Sequence, residues 1–96
     1  MAGGAVYMMA NRKQGAIYTG STSNLLARIF QHRERLVEGH SKTYGCTRLV
    51  WFEIHDDLQN ARHRELQIKK WKRSWKIRLI ESGNPDWKDL WFDIRA

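Results

Sequence analysis

Cysteine occurs once in this sequence, as Cys46, and proline once, as Pro85. A single thiol excludes an internal disulfide and leaves no spacing for a cysteine metal finger. A reducing, cytoplasmic setting is therefore the expectation. No run approaches the ~18 apolar residues that a membrane-spanning helix needs, so no membrane association is expected. Residues 1–10 lack a basic stretch followed by a long apolar run, which argues against a signal peptide. The 96 residues contain no repeat, no low-complexity segment and no linker, and leave no room for a second core. Residues 1–96 read as one domain. Hydrophobic residues, at 42%, suffice for a small core and argue against disorder.

What is present in excess is positive charge, and it is concentrated. Lys and Arg number 17 against 10 Asp and Glu, a net of +7. Residues 60–78 carry eight of the basic side chains: Arg62, Arg64, Lys69, Lys70, Lys72, Arg73, Lys76 and Arg78. Their only acid is Glu65, so this segment alone accounts for the excess and the rest of the chain is balanced. A localised basic stripe suits a polyanionic partner; the plainer alternative is a solvated helix face that keeps the protein soluble.

Apolar periodicity and turn residues predict the order β-β-α-β-α-α. Ala5 to Ala10 and Ala16 to Gly20 form two strands joined by the polar turn Asn11 to Gly15, a hairpin. Ser21 to Asn24 offers several N-caps for a helix running to about Val37, with Leu25, Leu26, Ile29, Phe30, Leu36 and Val37 on one face and Gly39 as the stop. Arg48 to Ile54 is the strongest strand. Asp56 and Asp57 cap a second helix, Leu58 to Lys72, with Leu58, Ala61 and Ile68 as its inner side and Leu66 as a further candidate for it. Ser74 caps a third helix that ends near Ser82 and Gly83. Asn84-Pro85-Asp86 is a turn, and Trp87, Leu90 and Trp91 form an aromatic tail that packs back on the domain. The expected architecture is α+β, a small three-stranded antiparallel sheet flanked by helices.

Two sites draw attention on physical grounds. Glu65 lies four residues after Ala61 and three before Ile68, on the inward side of the second helix. It is either half of a salt bridge to Arg62 or Lys69 at helical spacing, or a ligand for a hard divalent cation, which one or two carboxylates commonly hold. Arg28 and His32, an i, i+4 pair, flank the apolar face of the first helix. The guanidinium fork matches phosphate oxygens and an imidazole can move a proton near neutral pH. Alternatively they are a surface Arg and a packed or solvated His. Tyr7 and Tyr18 stand on the two hairpin arms, directly or diagonally adjacent, where packing is the ordinary role of tyrosine. His40, His55 and His63 carry no usable signal. The tryptophans read as packing, although Trp71 or Trp75 beside the basic stripe could stack on an unpaired base.

Taken in order, these residues resemble the GIY-YIG nuclease family, in particular its small stand-alone members. Ala5-Val6-Tyr7 stands in place of Gly-Ile-Tyr, and Tyr18-Thr19-Gly20 in place of Tyr-Ile-Gly. Arg28 follows the second glycine by eight residues, and His32 comes four later. Glu65 falls on the helix that carries the family's metal-binding Glu, and Asn84 sits near the family's late Asn. Lys42-Thr43-Tyr44, Arg48-Leu49-Val50-Trp51 and Ile68-Lys69-Lys70-Trp71 also look like the stand-alone subgroup. The substitutions by Ala5, Val6 and Thr19 are small and compatible with strands.

The resemblance implies phosphodiester hydrolysis with one bound metal, Mg2+ or Mn2+, on Glu65. It makes Tyr7 the position that activates the attacking water. A free phenol is a poor base at pH 7, so a neighbour must assist it: Tyr18, His32, Arg28 or the metal. Arg28 would neutralise charge on the phosphoryl oxygens. Gly20 would let the backbone approach substrate closely. Tyr44 either contacts substrate or orders its loop, and Asn84 either anchors the C-terminal turn or supports the site. Lys69, Lys70 and Lys72 would track the phosphate backbone. The expected function is thus a metal-dependent endonuclease, with DNA ahead of RNA as substrate, recognising structure or cutting with weak specificity, in repair or recombination. A protein partner could supply further specificity. The alternative is a nucleic-acid-binding module without turnover, for which the basic stripe alone suffices.

Overall fold

The computed structural model describes residues 3–36, 39 and 44–95. Residues Val37, Lys42 and Thr43, which entered the sequence reading, lie outside them. Three strands form one antiparallel sheet: β1 (Gly4–Ala10), β2 (Ile17–Thr22) and β3 (Arg48–His55), in the spatial order β2-β1-β3. The helices are α1 (Leu25–Arg33), α2 (Leu58–Lys69), α3 (Arg73–Gly83) and a short α4 (Trp91–Ile94). The order β-β-α-β-α-α is as expected, with α4 added where the aromatic tail packs. No helix among the described residues is long and apolar enough to cross a membrane.

β1 lies in the middle of the sheet and is buried along its whole length. Its alternate side chains therefore feed two cores. Val6, Met8 and Ala10 join Val50, Ile68, Ile80 and Trp87 beneath α2 and α3. Tyr7 and Met9 join Ile29, Cys46 and Leu49 beneath α1, with Leu90, Trp91 and Ile94 from the C-terminal segment closing over them. A strand covered on both faces needs apolar residues at every position, which explains why Ala5 to Ala10 shows no polar alternation.

The first helix is shorter than its apolar pattern predicts. Asn24 caps it, its side chain accepting from the Ala27 amide. It ends after Arg33, because Arg35 takes a left-handed conformation (φ 58°). Arg35 N–H then donates to the His32 carbonyl and Leu36 N–H to Gln31, which are the two bonds of a Schellman motif. The stop thus comes before Gly39. Leu26, Phe30 and Leu36 lie in the open rather than on the core face. Leu66 of α2 is exposed as well. Asp57 caps α2 as expected, accepting from Asn60, but the helix closes at Lys69, and α3 starts from Lys72 rather than Ser74. The start of α3 is pinned from outside: the Arg73 guanidinium donates to the Gln14 and Gly15 carbonyls of the hairpin turn.

One irregularity anchors the C-terminal segment. The β1–β3 register slips between Met8 and Met9, with Met8 opposite Trp51 and Met9 opposite Leu49, so Val50 is an extra, bulged residue. Its carbonyl accepts from Asn84 Nδ2 at 3.1 Å. Asn84 also donates to the Lys88 carbonyl and accepts from the Lys88 amide. The side chain is buried and its hydrogen bonds hold the turn, the anchoring role that was one of the two readings open to Asn84. Trp87 follows with φ 57°. A left-handed non-glycine residue costs roughly 1–2 kcal/mol. Burying an indole of some 150–250 Å² is worth several kcal/mol, so burial decides. Trp87 is fully buried and its Nε1 donates to Glu81 at 2.7 Å.

Asn84→Ala would leave the Val50 and Lys88 carbonyls and the Lys88 amide without their partner. We expect a loss of about 2–3 kcal/mol, read as a lowered urea midpoint at unchanged m-value.

Candidate active site

The hairpin register places Tyr7 directly opposite Gly20. Both face α1, as does Tyr18 two residues before Gly20, since strand side chains alternate. A Cβ built on Gly20 would come within 2.5 Å of the Tyr7 hydroxyl oxygen, 2.7 Å of its Cζ and 3.0 Å of Tyr18 Cε2. The glycine makes room for the Tyr7 ring: the space a side chain would fill is taken by the phenol.

The Tyr7 hydroxyl lies 2.8 Å from His32 Nε2. Tyr7, Tyr18 and His32 form a three-ring cluster, with centroid separations of 6.3 Å (Tyr7–Tyr18), 5.4 Å (Tyr7–His32) and 5.1 Å (Tyr18–His32). His32 therefore does not flank the apolar face of α1 but belongs to it, buried over the sheet. Burial holds its imidazole neutral, with the pKa lowered to about 4, and the nearby Arg28 cation adds to that. Burial likewise pushes the Tyr7 phenol up to about 12, while a hydrogen bond from Arg28 pulls the other way. The phenol keeps its proton and the imidazole is uncharged, so donation from Tyr7 to an unprotonated Nε2 uses both groups as they stand.

Arg28 is held over this pair by Gln31, its Nη1 donating to Gln31 Oε1 at 3.0 Å. Its guanidinium reaches both tyrosines, and the hydrogen bond to Tyr7 raises its own pKa further. Gln31 was not among the residues the sequence singled out; its signal is the i, i+3 spacing from Arg28 on the same helix face.

Glu65 approaches from the other face of the sheet. Ser21 pairs with Val6 and so points toward α2. Its hydroxyl donates to Glu65 Oε1, and Lys69 Nζ lies 2.6 Å from Oε2. The Glu65 side chain is only 13% exposed, and its charge is felt at the Tyr7 phenol. Of the two ion pairs that the helical spacing allowed, the Lys69 pair forms. Ser21 was read only as a capping candidate. The alternation of β2, two faces from one strand, is the signal that would have found it.

The same carboxylate was the expected metal ligand. Among the described residues no three His, Cys, Asp or Glu side chains cluster as a metal cage. What remains is one carboxylate beside one hydroxyl, all hard oxygen donors, with a cation already seated on it in the form of the Lys69 ammonium. That donor set fits Mg2+, which takes one or two protein carboxylates and fills its shell with water and phosphate oxygens.

The remaining expected residues lie apart. Tyr44 is more than half exposed in the turn before Cys46. Lys70 caps the C-terminus of α2 and Lys72 the start of α3, both exposed. The basic stripe is not uniformly available: Arg64 pairs with Glu53, Lys69 with Glu65, and Arg73 is spent on the hairpin turn.

The family model described as the GIY-YIG catalytic domain matches residues 3–78. A UPF0213 protein of Clostridium perfringens is 37% identical over 70 residues, which is 73% of this chain and 75% of that protein. UPF0213 proteins of Staphylococcus haemolyticus (35% over 69 residues, 72% and 84% of the two chains) and Staphylococcus saprophyticus (32% over 71 residues, 74% and 87%) are similar too. No solved structure matches the chain. The matched span includes both tyrosines, Arg28, His32 and Glu65, and stops before Asn84.

Two measurements check this geometry. Gly20→Ala should cost about 1–3 kcal/mol in thermal or urea unfolding, because a buried ring must move. The His32 pKa lies near 4 in the folded chain and near 6.5 in a free histidine. Between those values the unfolded chain binds more protons, so stability contributed by neutral His32 is full above pH 6.5 and is lost as pH falls toward 4. The loss is at most about 3 kcal/mol. His32→Asn should flatten the pH dependence of the urea midpoint in that window relative to the parent.

Proposed function

The chain belongs to the GIY-YIG catalytic-domain family, a nuclease-type family, and from this premise we propose that it is a metal-dependent endonuclease that hydrolyses phosphodiester bonds in DNA. The observation that carries the reading is the buried Tyr7–His32 hydrogen bond, with Arg28 reaching the same phenol.

The chemistry needs a base for water, and neither ring is a strong base alone. Together they form a relay. The phenol oxygen takes a proton from the attacking water as the phenolic proton passes to His32 Nε2, so no free phenolate is required. An incoming phosphodiester brings negative charge, which favours a protonated imidazole and offsets the effect of Arg28 on it. Water oxygen forms the new bond to phosphorus; the bond to the leaving oxygen breaks, and that oxygen takes its proton from solvent. Arg28 neutralises charge on the non-bridging oxygens as it builds. Gly20 and Tyr18 hold the Tyr7 ring so that little reorganisation is needed. Glu65, released from Lys69, would hold the divalent ion with help from the Ser21 hydroxyl. When bound, that ion polarises the phosphate and stabilises the leaving oxygen. Lys69, freed in that exchange, joins Lys70 and Lys72 as a phosphate contact. With few cations free to read base edges, substrate choice rests on backbone and shape rather than sequence.

The test is cleavage of single-stranded, nicked and branched DNA, and of matched RNA, in Mg2+, Mn2+ and EDTA. The parent, Tyr7→Phe and Glu65→Gln are purified identically. We expect metal-dependent cutting of DNA, at least about 100-fold slower in Tyr7→Phe. In Glu65→Gln cutting should be absent while DNA affinity stays nearly unchanged. A Glu65→Gln protein that cuts as the parent does removes the metal assignment. Full activity in Tyr7→Phe moves the base to Tyr18 or His32. Binding without cutting by the parent itself turns the reading to a non-catalytic nucleic-acid module.

A further inference from the structure

Outside this site, aromatic rings and cations converge on the surface formed by the α2–α3 connection and the start of α3. Trp71, in the connection after α2, and Trp75, in the first turn of α3, meet at nearly a right angle, with centroids 6.0 Å apart and planes inclined by 75°. With Arg78, Leu79 and Ser82 they line an open groove of about 320 Å³. Trp75 is 46% exposed, an unusual state for the largest apolar side chain when the same chain buries Trp87 completely. Cations surround the pair. Lys72 Nζ lies 5.3 Å from the centre of the Trp75 ring, and Arg64 Cζ 5.3 Å from that of Trp71. Arg78 forms part of the wall, and Lys70 precedes Trp71 in the chain. The carboxylates of the vicinity are occupied: Glu53 accepts from Arg64, and Glu81 from Trp87 Nε1.

An open apolar groove walled by two indoles and rimmed by cations has the chemistry of a base-stacking platform with phosphate contacts beside it. A duplex offers phosphates but keeps its bases stacked inside. A peptide with an aromatic anchor would fill the slot but leave Lys72 and Arg78 without acidic partners unless it were itself anionic. We infer that the Trp71–Trp75 groove binds an unpaired nucleobase, and that it biases this protein toward nucleic acid with single-stranded segments. Lys72 and Arg78 would hold the flanking phosphates. The inference rests on the nuclease reading for its biological use, but its test does not, because binding is measured without turnover.

The experiment is fluorescence anisotropy in EDTA with labelled single-stranded oligothymidylate and oligouridylate of about a dozen nucleotides, and with a duplex of the same length. Parent, Trp75→Ala, Trp75→Phe and Arg78→Gln are compared. Trp75→Ala should weaken single-strand binding about tenfold and duplex binding by less than about twofold, and Trp75→Phe should recover most of the loss. Arg78→Gln should weaken both and lower the salt dependence. Thymidylate and uridylate arms tell DNA from RNA as the source of the base. Equal single-strand affinity in Trp75→Ala overturns the inference, and so does equal loss on duplex. A concentration-dependent dimer of the parent that Trp75→Ala abolishes would assign the groove to a second copy of the chain instead, and also overturns it. Circular dichroism of the variants separates loss of contact from loss of fold. Failure of DNA cleavage in the earlier test leaves these affinities interpretable on their own.

Discussion

The contact between the Tyr7 ring and the bare backbone of Gly20 is what the candidate site depends on. It exists because β1 and β2 pair in one register, Tyr7 opposite Gly20. A slip by one residue would turn Tyr7 into the other core and bring Val6 up beneath α1. The register also holds Tyr18 against the same rings and gives His32 of α1 a partner for Nε2. The phenol and imidazole are then buried together, and burial drives both toward their neutral forms. A buried hydroxyl and a buried ring nitrogen would each be costly alone; bonded to one another they satisfy each other. Packing and chemistry are the same interaction here.

Because β1 is covered on both faces, the sheet serves as a partition. One face carries the aromatic cluster with Arg28 above it, and the other carries Ser21 and Glu65 beneath α2. The Glu65 charge is nevertheless felt at the Tyr7 phenol. The far side of the molecule is tied down separately, through the bulge at Val50, the side chain of Asn84 and the buried indole of Trp87. Those residues keep the C-terminal segment in place so that Leu90 and Trp91 close over the aromatic core. Leu90 N–H donates to the Leu49 carbonyl, and Arg33 pairs with Asp89.

The basic segment is less uniform than its composition implies. Arg64, Lys69 and Arg73 neutralise carboxylates or bind backbone carbonyls within the fold. These contacts set which cations remain for a partner. Those that remain, among them Lys70, Lys72 and Arg78, lie along the α2–α3 connection and α3, beside the two tryptophans. Lys69 is engaged as the counter-ion of Glu65.

Much of this was legible along the chain. Strand periodicity, the capping Asp57 and the turn after Ala10 are local, and local signals read the three strands, the element order and the α+β class. The spacing of Tyr7, Tyr18, Gly20, Arg28, His32 and Glu65 pointed to the family before any coordinates. The errors came where a distant contact overrode a local preference. Arg35 stops α1 before Gly39 in a conformation that glycine would ordinarily take, and Leu26, Phe30 and Leu36 are exposed rather than core. That Asn84 can anchor its turn was legible, but the carbonyl it reaches, that of the bulged Val50, was not. That the Tyr7 ring fills the space over Gly20 is visible only across the strand pair. The sequence by itself determined which groups are present and on which element each stands, because those follow from composition and from periods of 2 and 3.6 residues. Only the tertiary structure decided which of them meet. Register, bulge and helix end are set by the summed packing of the two cores, and no single stretch of the chain contains that sum.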